Sequence, residues 1–244
     1  MEKEEARVKA FEAVWSDELD EAFADLAHYY EHANIYASLG VWKLLRRRFA
    51  SAVDIKPGYR VLDVCSGTNV VGINLLKKEP DIDVYGVDKS VAMQEIGRGI
   101  ARDQGFRINN IICDVHSLPF PDDHFDVVTI QWATRHLRLI EAFSEIRRVL
   151  KPGGCFYHCD MLRPANKLVA EMYYLYLRAC LSVTAWTFGS GKASLKMRNY
   201  FIKAIRMFYS TEELSGLLAE LGYSNVTGNS VLAGMVAIHK AHKV

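Results

Sequence analysis

The chain has 244 residues, half of them hydrophobic, and its 30 basic and 29 acidic side chains leave a formal net charge of +1. That apolar content suffices for one α/β domain with additions, while the balanced charge gives a whole-molecule field that argues neither for a polyanionic partner nor strongly against one, so any basic patch must be local. Five irregularly spaced cysteines, Cys65, Cys113, Cys155, Cys159 and Cys180, make no disulfide framework and read as thiols in a reducing compartment.

The first fifty residues read as helical and outside any sheet. They open with Met1-Glu2-Lys3-Glu4-Glu5, which is charged and lacks the apolar stretch of a secretory signal, so the expected location is cytoplasmic. Arg46-Arg47-Arg48 beside Trp42, Leu44, Leu45 and Phe49 is either a solvated basic helix face or a peripheral contact with the inner face of a membrane. Beyond them, short β-branched runs recur at 60–65, 83–88, 109–114, 125–131 and 154–160, with helical patterning between them. Such alternation predicts a parallel sheet with helices on both faces. Ser90 is placed to cap a helix carrying Met93 and Ile96, and Lys151-Pro152-Gly153-Gly154 is read as stopping a helix that runs through Phe143, Ile146 and Leu150. His158-Cys159-Asp160, with Cys155 before it, lies on an alternating strand whose neighbours point to opposite faces, so it is read as core and no metal is expected. Residues 168–188 are the most apolar window, but Glu171 and Arg178 interrupt it; it reads as a lid or core helix rather than a membrane span. Thr211-Glu212-Glu213-Leu214 opens another helix, and strands are expected near Asn225 and over 231–239.

The sharpest constellation is Val61-Leu62-Asp63-Val64-Cys65-Ser66-Gly67-Thr68-Asn69, an apolar strand entering a small-residue turn, with Asp88 ending the next strand. In an open α/β sheet a ligand sits outside the carboxyl ends of the strands. Glycine lets the backbone approach it, and an acid about 20 residues on can take two ribose hydroxyls. Asp114, in Cys113-Asp114-Val115, ends the third run, where a carboxylate can accept from an adenine amino group. Leu118-Pro119-Phe120-Pro121-Asp122-Asp123-His124-Phe125-Asp126 then leads into the fourth.

Together with Leu150-Lys151-Pro152-Gly153-Gly154, this order resembles the class I S-adenosylmethionine (SAM)-dependent methyltransferases over roughly 55–160. A narrower likeness, to the ubiquinone/menaquinone biosynthesis C-methyltransferase family, is carried by Tyr30-Glu31-His32-Ala33-Asn34-Ile35-Tyr36-Ala37-Ser38-Leu39-Gly40, by Ala204-Ile205-Arg206-Met207 and by Gly234-Met235-Val236-Ala237-Ile238-His239-Lys240. The resemblance implies a Rossmann-like, mostly parallel seven-stranded sheet. It divides the chain into a helical cap over 1–50, a SAM-binding core over 51–162, a helical lid over 163–198 and a helix with a strand pair over 199–244. It implies that SAM, without metal, meets Asp63, Cys65, Ser66, Gly67, Asn69, Asp88, Lys89, Met93, Asp114, Val115 and Gln131, and that a quinol meets Tyr30, Asn34, Tyr36, Tyr200 and Arg206.

Two positions depart from the family pattern. Asn69 replaces the second glycine of a Gly-x-Gly turn; asparagine tolerates a positive φ, so the turn survives while a side chain stands where the cofactor approaches. In Arg135-His136 the family's Arg-Asn pair keeps its arginine and exchanges asparagine for histidine. His136 is then a candidate general base, or simply a polar residue at a turn, and Arg135 a candidate to hold a developing phenolate. The implied activity is methylation at carbon of a prenylated quinol, such as demethylmenaquinone to menaquinone. Another small aromatic or lipid-like acceptor is the alternative, and so is a SAM-fold scaffold that has lost catalysis. Asp63, Gly67, Asp88 and Asp114 favour an enzyme, no nucleic-acid module is present, and pairing with itself or with pathway enzymes stays open.

Overall fold

The computed structural model describes residues 2–15, 38, 40–187 and 191–244. Helix α1 (Glu2–Ala13) and helix α2 (Val41–Ala52) precede strand β1 (Arg60–Val64). Then follow α3 (Val70–Lys78), β2 (Asp83–Asp88), α4 (Val91–Asp103), β3 (Asn109–Ile112), β4 (Phe125–Gln131), α5 (Leu139–Val149) and β5 (Leu150–Met161). Helices α6 (Lys167–Thr187), α7 (Gly191–Met207) and α8 (Thr211–Glu220) lead to β6 (Tyr223–Val231) and β7 (Val236–Lys243). The strands form one seven-stranded sheet in the order β3-β2-β1-β4-β5-β7-β6. β1 to β5 pair in parallel, and β7 pairs antiparallel with both β5 and β6. This is the mostly parallel, doubly wound sheet expected, and its strand order reverses between β1 and β4. A crevice therefore opens at the carboxyl ends of those two strands.

The strands are apolar on both faces because helices cover both. Leu62, Val64, Val128, Ile130 and Phe156 pack under α5 and α8, while Val61, Val127, Cys155, Tyr157 and Cys159 pack under α2 and α3. Ser90 caps α4, its Oγ accepting from Met93 N at 3.3 Å. Helix α8 has a full capping box: Ser210 Oγ accepts from Glu213 N at 3.3 Å, and the Glu213 carboxylate accepts from Ser210 N at 2.7 Å.

One boundary differs from expectation. The helix through Phe143 and Ile146 ends at Val149, and Leu150 already pairs with Phe125 on β4. An apolar residue at that spacing fits either the last turn of a helix or the first position of a buried strand, and strand pairing decides it. Lys151-Pro152-Gly153-Gly154 is thus an irregularity inside β5, whose register resumes at Val127↔Cys155. Gly154 must be glycine there, since a Cβ would lie 2.8 Å from Lys151 O. Helix α7 also runs through the 198/199 boundary drawn from the sequence.

His158 and Cys159 face opposite sides of β5, as alternation requires. His158 Nε2 lies 2.8 Å from Thr134 Oγ1 and its Nδ1 lies 3.1 Å from His239 Nδ1, whereas Cys159 packs on the α2/α3 side. Among the described residues no cysteine is in a disulfide, no acid, histidine and cysteine cluster could hold a metal, and no helix is long and apolar enough to cross a membrane.

Candidate active site at the carboxyl ends of β1 and β4

The crevice is a cavity of about 460 Å³. Its floor is the turn after β1, where Cys65, Gly67 and Asn69 all adopt positive φ (52°, 49° and 60°). Ser66 N donates to Val87 O at 3.0 Å, which ties the turn to β2. Asp88, at the end of β2, clamps it further: one carboxylate oxygen accepts from Gly67 N and the other from Ser90 N, each at 2.9 Å. Gln94 on α4 completes the clamp, its Nε2 donating to Ser66 Oγ at 2.7 Å and to Gly67 O at 3.2 Å. Helical periodicity marks Gln94 as facing inward, yet only the folded contact reveals its work.

One side of the cavity wall, at the ends of β1 and β2 and just past β3, carries carboxylates. Asp63, Asp88 and Asp114 all line it, with Lys89 as a cation among them. Burial raises the Asp63 carboxyl to about 7, against the pull of the Thr129 hydroxyl and the Gly72 backbone. At Asp114 burial also opposes ionisation, but the backbone and ring of His116 outweigh it and hold the group below its ordinary value. Burial, and then these acids, push the Cys65 thiol far up, so it stays a neutral wall. Met93 and Val115 add apolar surface, and Gln131 and Trp132 close the β4 side, where Trp132 stacks on Trp42 at 4.4 Å.

Of the cofactor candidates, Asp63, Cys65, Ser66, Gly67, Asp88, Lys89, Met93, Asp114, Val115 and Gln131 line this one cavity. Asn69 does not. Its side chain turns away, behind the turn, and is 1 % exposed between β2 and α4. A Cβ on Gly86 would fall 2.7 Å from its Oδ1, and one on Gly97 would fall 2.7 Å from its Nδ2. The asparagine is therefore accommodated by two glycines, and it blocks nothing in the cavity. Gly86→Ala is expected to cost ~1–3 kcal/mol by overpacking. The double variant Asn69→Gly/Gly86→Ala should recover most of that loss in denaturant unfolding, because the Asn69 amide is buried with neither of its atoms hydrogen-bonded. Additive losses would show that the two residues do not compete for one space.

His136 lines the cavity, whereas its neighbour Arg135 does not. Both sit in a short 3-10 turn, Thr134–His136, where consecutive side chains diverge. The Arg135 guanidinium points into the core, pairs with the Asp160 carboxylate and donates to Trp132 O at 2.9 Å. The guanidinium thus lies in the core and not at the cavity, where the role of holding a phenolate would have it. Arg206 is also away from the site: it is exposed, bonds Glu171 at 3.0 Å and covers the Tyr174 ring, so it ties α7 to α6. Tyr200 does not line the cavity but stands directly behind His136, 2.6 Å from its Nδ1. Tyr30, Asn34 and Tyr36 lie outside the described residues.

The sequence reading missed the contribution of α1. Glu12, and Trp15 two residues past the helix end, line the cavity, as do Arg46, His116 and Arg138. Glu4 and Arg7 form a buried ion pair at 2.5 Å. Glu4 accepts from Leu139 N at 2.7 Å at the start of α5, and Arg7 donates to Arg135 O at 3.2 Å. The amino-terminal helix is thus latched onto the turn that carries His136.

A family model described as the ubiE/COQ5 methyltransferase family matches residues 12–243. The chain belongs to that family. It is 31 % identical over 229 residues to the demethylmenaquinone methyltransferase of Symbiobacterium thermophilum, covering 91 % of each chain. It is likewise 31 % identical over 227 residues to the ubiquinone/menaquinone biosynthesis C-methyltransferase UbiE of Pseudomonas entomophila, covering 91 % of this chain and 88 % of that one. Among solved structures, a SAM-dependent methyltransferase from Thermotoga maritima superposes with a TM-score of 0.62 at 20 % identity, over 91 % of this chain and 98 % of that one. One from Aquifex aeolicus gives 0.58 at 18 % identity, over 82 % and 89 % respectively. At those identities the likeness establishes the fold. SAM is the methyltransferase's cofactor, and the cavity suits it. SAM carries a sulfonium, an ammonium, two ribose hydroxyls and an adenine amine, and the wall offers carboxylates, accepting amides and apolar side chains in one continuous surface.

Proposed function

We propose that this chain transfers the methyl group of SAM to a ring carbon of a prenylated quinol, as in the conversion of demethylmenaquinol to menaquinol. The observation that carries this reading is similarity over most of the chain to relatives named for that reaction, 91 % of each chain in the Symbiobacterium case. Bound SAM supplies an electrophilic methyl on sulfur. Asp88 would hold the ribose hydroxyls, Asp114 the adenine amine, and Asp63, poised to ionise beside a cation, the ammonium. What the remaining residues do is position: Trp15, Trp132 and Ala133 offer an apolar surface for a ring, and His136 stands beside them.

The test is incubation of the purified chain with methyl-labelled SAM and reduced demethylmenaquinone, followed by mass spectrometry of the extracted lipid. One added methyl on the ring is expected. Methylation of tail-less aromatics alone would assign a different acceptor, and SAM binding without transfer to any acceptor would favour a scaffold role.

A further inference from the structure

The hydroxyl of buried Tyr200 meets Trp15 Nε1 at 2.8 Å and His136 Nδ1 at 2.6 Å. An indole N–H can only donate, so Tyr200 accepts from Trp15. The phenol proton then needs an acceptor of its own, and among the described residues the group in reach is His136 Nδ1. Burial pushes the Tyr200 phenol up, which keeps that proton in place. Nδ1 is therefore an acceptor, and a neutral imidazole must carry its single proton on Nε2.

We propose that His136 acts as a neutral hydrogen-bond donor, its Nε2–H directed at the acceptor's ring oxygen, and that Tyr200, itself held by Trp15, is the positioning residue that fixes this tautomer. The proposal rests on the quinol reading above and replaces the general base expected from the sequence. A donor at the ring oxygen lowers the cost of forming the phenolate, whose charge activates the neighbouring carbon. The hydroxyl proton leaves to solvent, the carbon takes the methyl as its bond to the SAM sulfur breaks and S-adenosylhomocysteine departs, and loss of the ring proton to solvent restores the aromatic ring.

The groups facing His136 favour a neutral ring. Arg135 adjoins it in the turn, Arg7 reaches in from α1, Lys89 from the end of β2, and Tyr200 and the Phe201 ring pack on it from α7. Burial first, and then these three cations, hold its imidazole well below the ordinary value, so it does not collect a proton at neutral pH.

The test combines a spectrum with turnover. In protein carrying [15N]histidine, the His136 resonances, assigned by their loss in His136→Asn, should show a protonated Nε2 and an unprotonated Nδ1 at pH 7. Tyr200→Phe should mix the two tautomers and lower kcat with little change in KM for SAM. His136→Ala should lose ~100-fold in kcat, as for removal of one oxyanion donor. His136→Asn keeps an N–H donor but cannot titrate, and should stand roughly tenfold above the alanine variant. Protonation at Nδ1 in the wild type, or equal loss in the asparagine and alanine variants, would overturn the proposal. Wild-type protein that leaves demethylmenaquinol unmethylated would instead refute the acceptor assignment, and the spectrum alone then decides whether Tyr200 sets the tautomer.

Discussion

Asp88→Ala is expected to weaken SAM binding ~100-fold or more in calorimetric titration, with the fold intact. The carboxylate has two kinds of work to lose. Its oxygens accept the backbone N–H groups of Gly67 and Ser90, and a carboxylate offers about four lone-pair sites in all, so it can also accept from ribose hydroxyls. Two charge-assisted hydrogen bonds to ligand at ~1.5–3 kcal/mol each account for a factor of ~100 or above. Removal also releases Gly67 N, so the left-handed turn that forms the cavity floor loses one of its ties to β2. Asp88→Asn separates the two contributions. One amide oxygen can still accept, so a loss nearer ~10-fold is expected. Equal losses in both variants would mean that one neutral acceptor contributes nothing and that the intact carboxylate is needed to hold the cofactor. Unchanged affinity in Asp88→Ala would remove the ribose from this end of β2.

The core was readable from the chain because its signals are local. A buried parallel strand is a short β-branched run, a capping serine sits at a fixed offset from its amide, and the turn after β1 is marked by its glycine and by an asparagine, the residues that best tolerate positive φ. What escaped was whatever depends on a partner distant in sequence. Glu4 and Arg7 look like surface charges on a polar helix; they are buried because they neutralise each other and because Glu4 satisfies the first amide of α5, 135 residues away. Asn69 looks like an obstruction to the cofactor; its amide lies outside the cavity because Gly86 and Gly97, on two other elements, leave a slot for it. The pairing of Tyr200 with His136 across 64 residues has no local signal at all. Leu150 was misplaced for the opposite reason, since its local signal fits two answers.

Arg135 illustrates how one step along a tight turn changes a residue's task, and it carries the second large expected effect. Arg135→Met should destabilise the protein by ~3–5 kcal/mol, the usual cost of stripping one partner from a buried ion pair. For a domain of this size that is a fall in melting temperature of roughly 10 °C. The cause is Asp160, which is fully buried on β5. It would retain the Thr134 hydroxyl at 2.6 Å and the Met161 amide at 2.7 Å but lose its counter-cation. Arg135→Met/Asp160→Asn should then be more stable than Arg135→Met alone, because the second change removes the stranded charge while its amide oxygen still accepts from Thr134. Arginine in direct contact with the acceptor would behave otherwise: Arg135→Met would melt like the wild type and lose only turnover. Because the Arg135 carbonyl also receives Arg7 from α1, loosening this pair frees both the latch and the turn. The tautomer signal of His136 should therefore broaden in Arg135→Met even at temperatures where the protein stays folded.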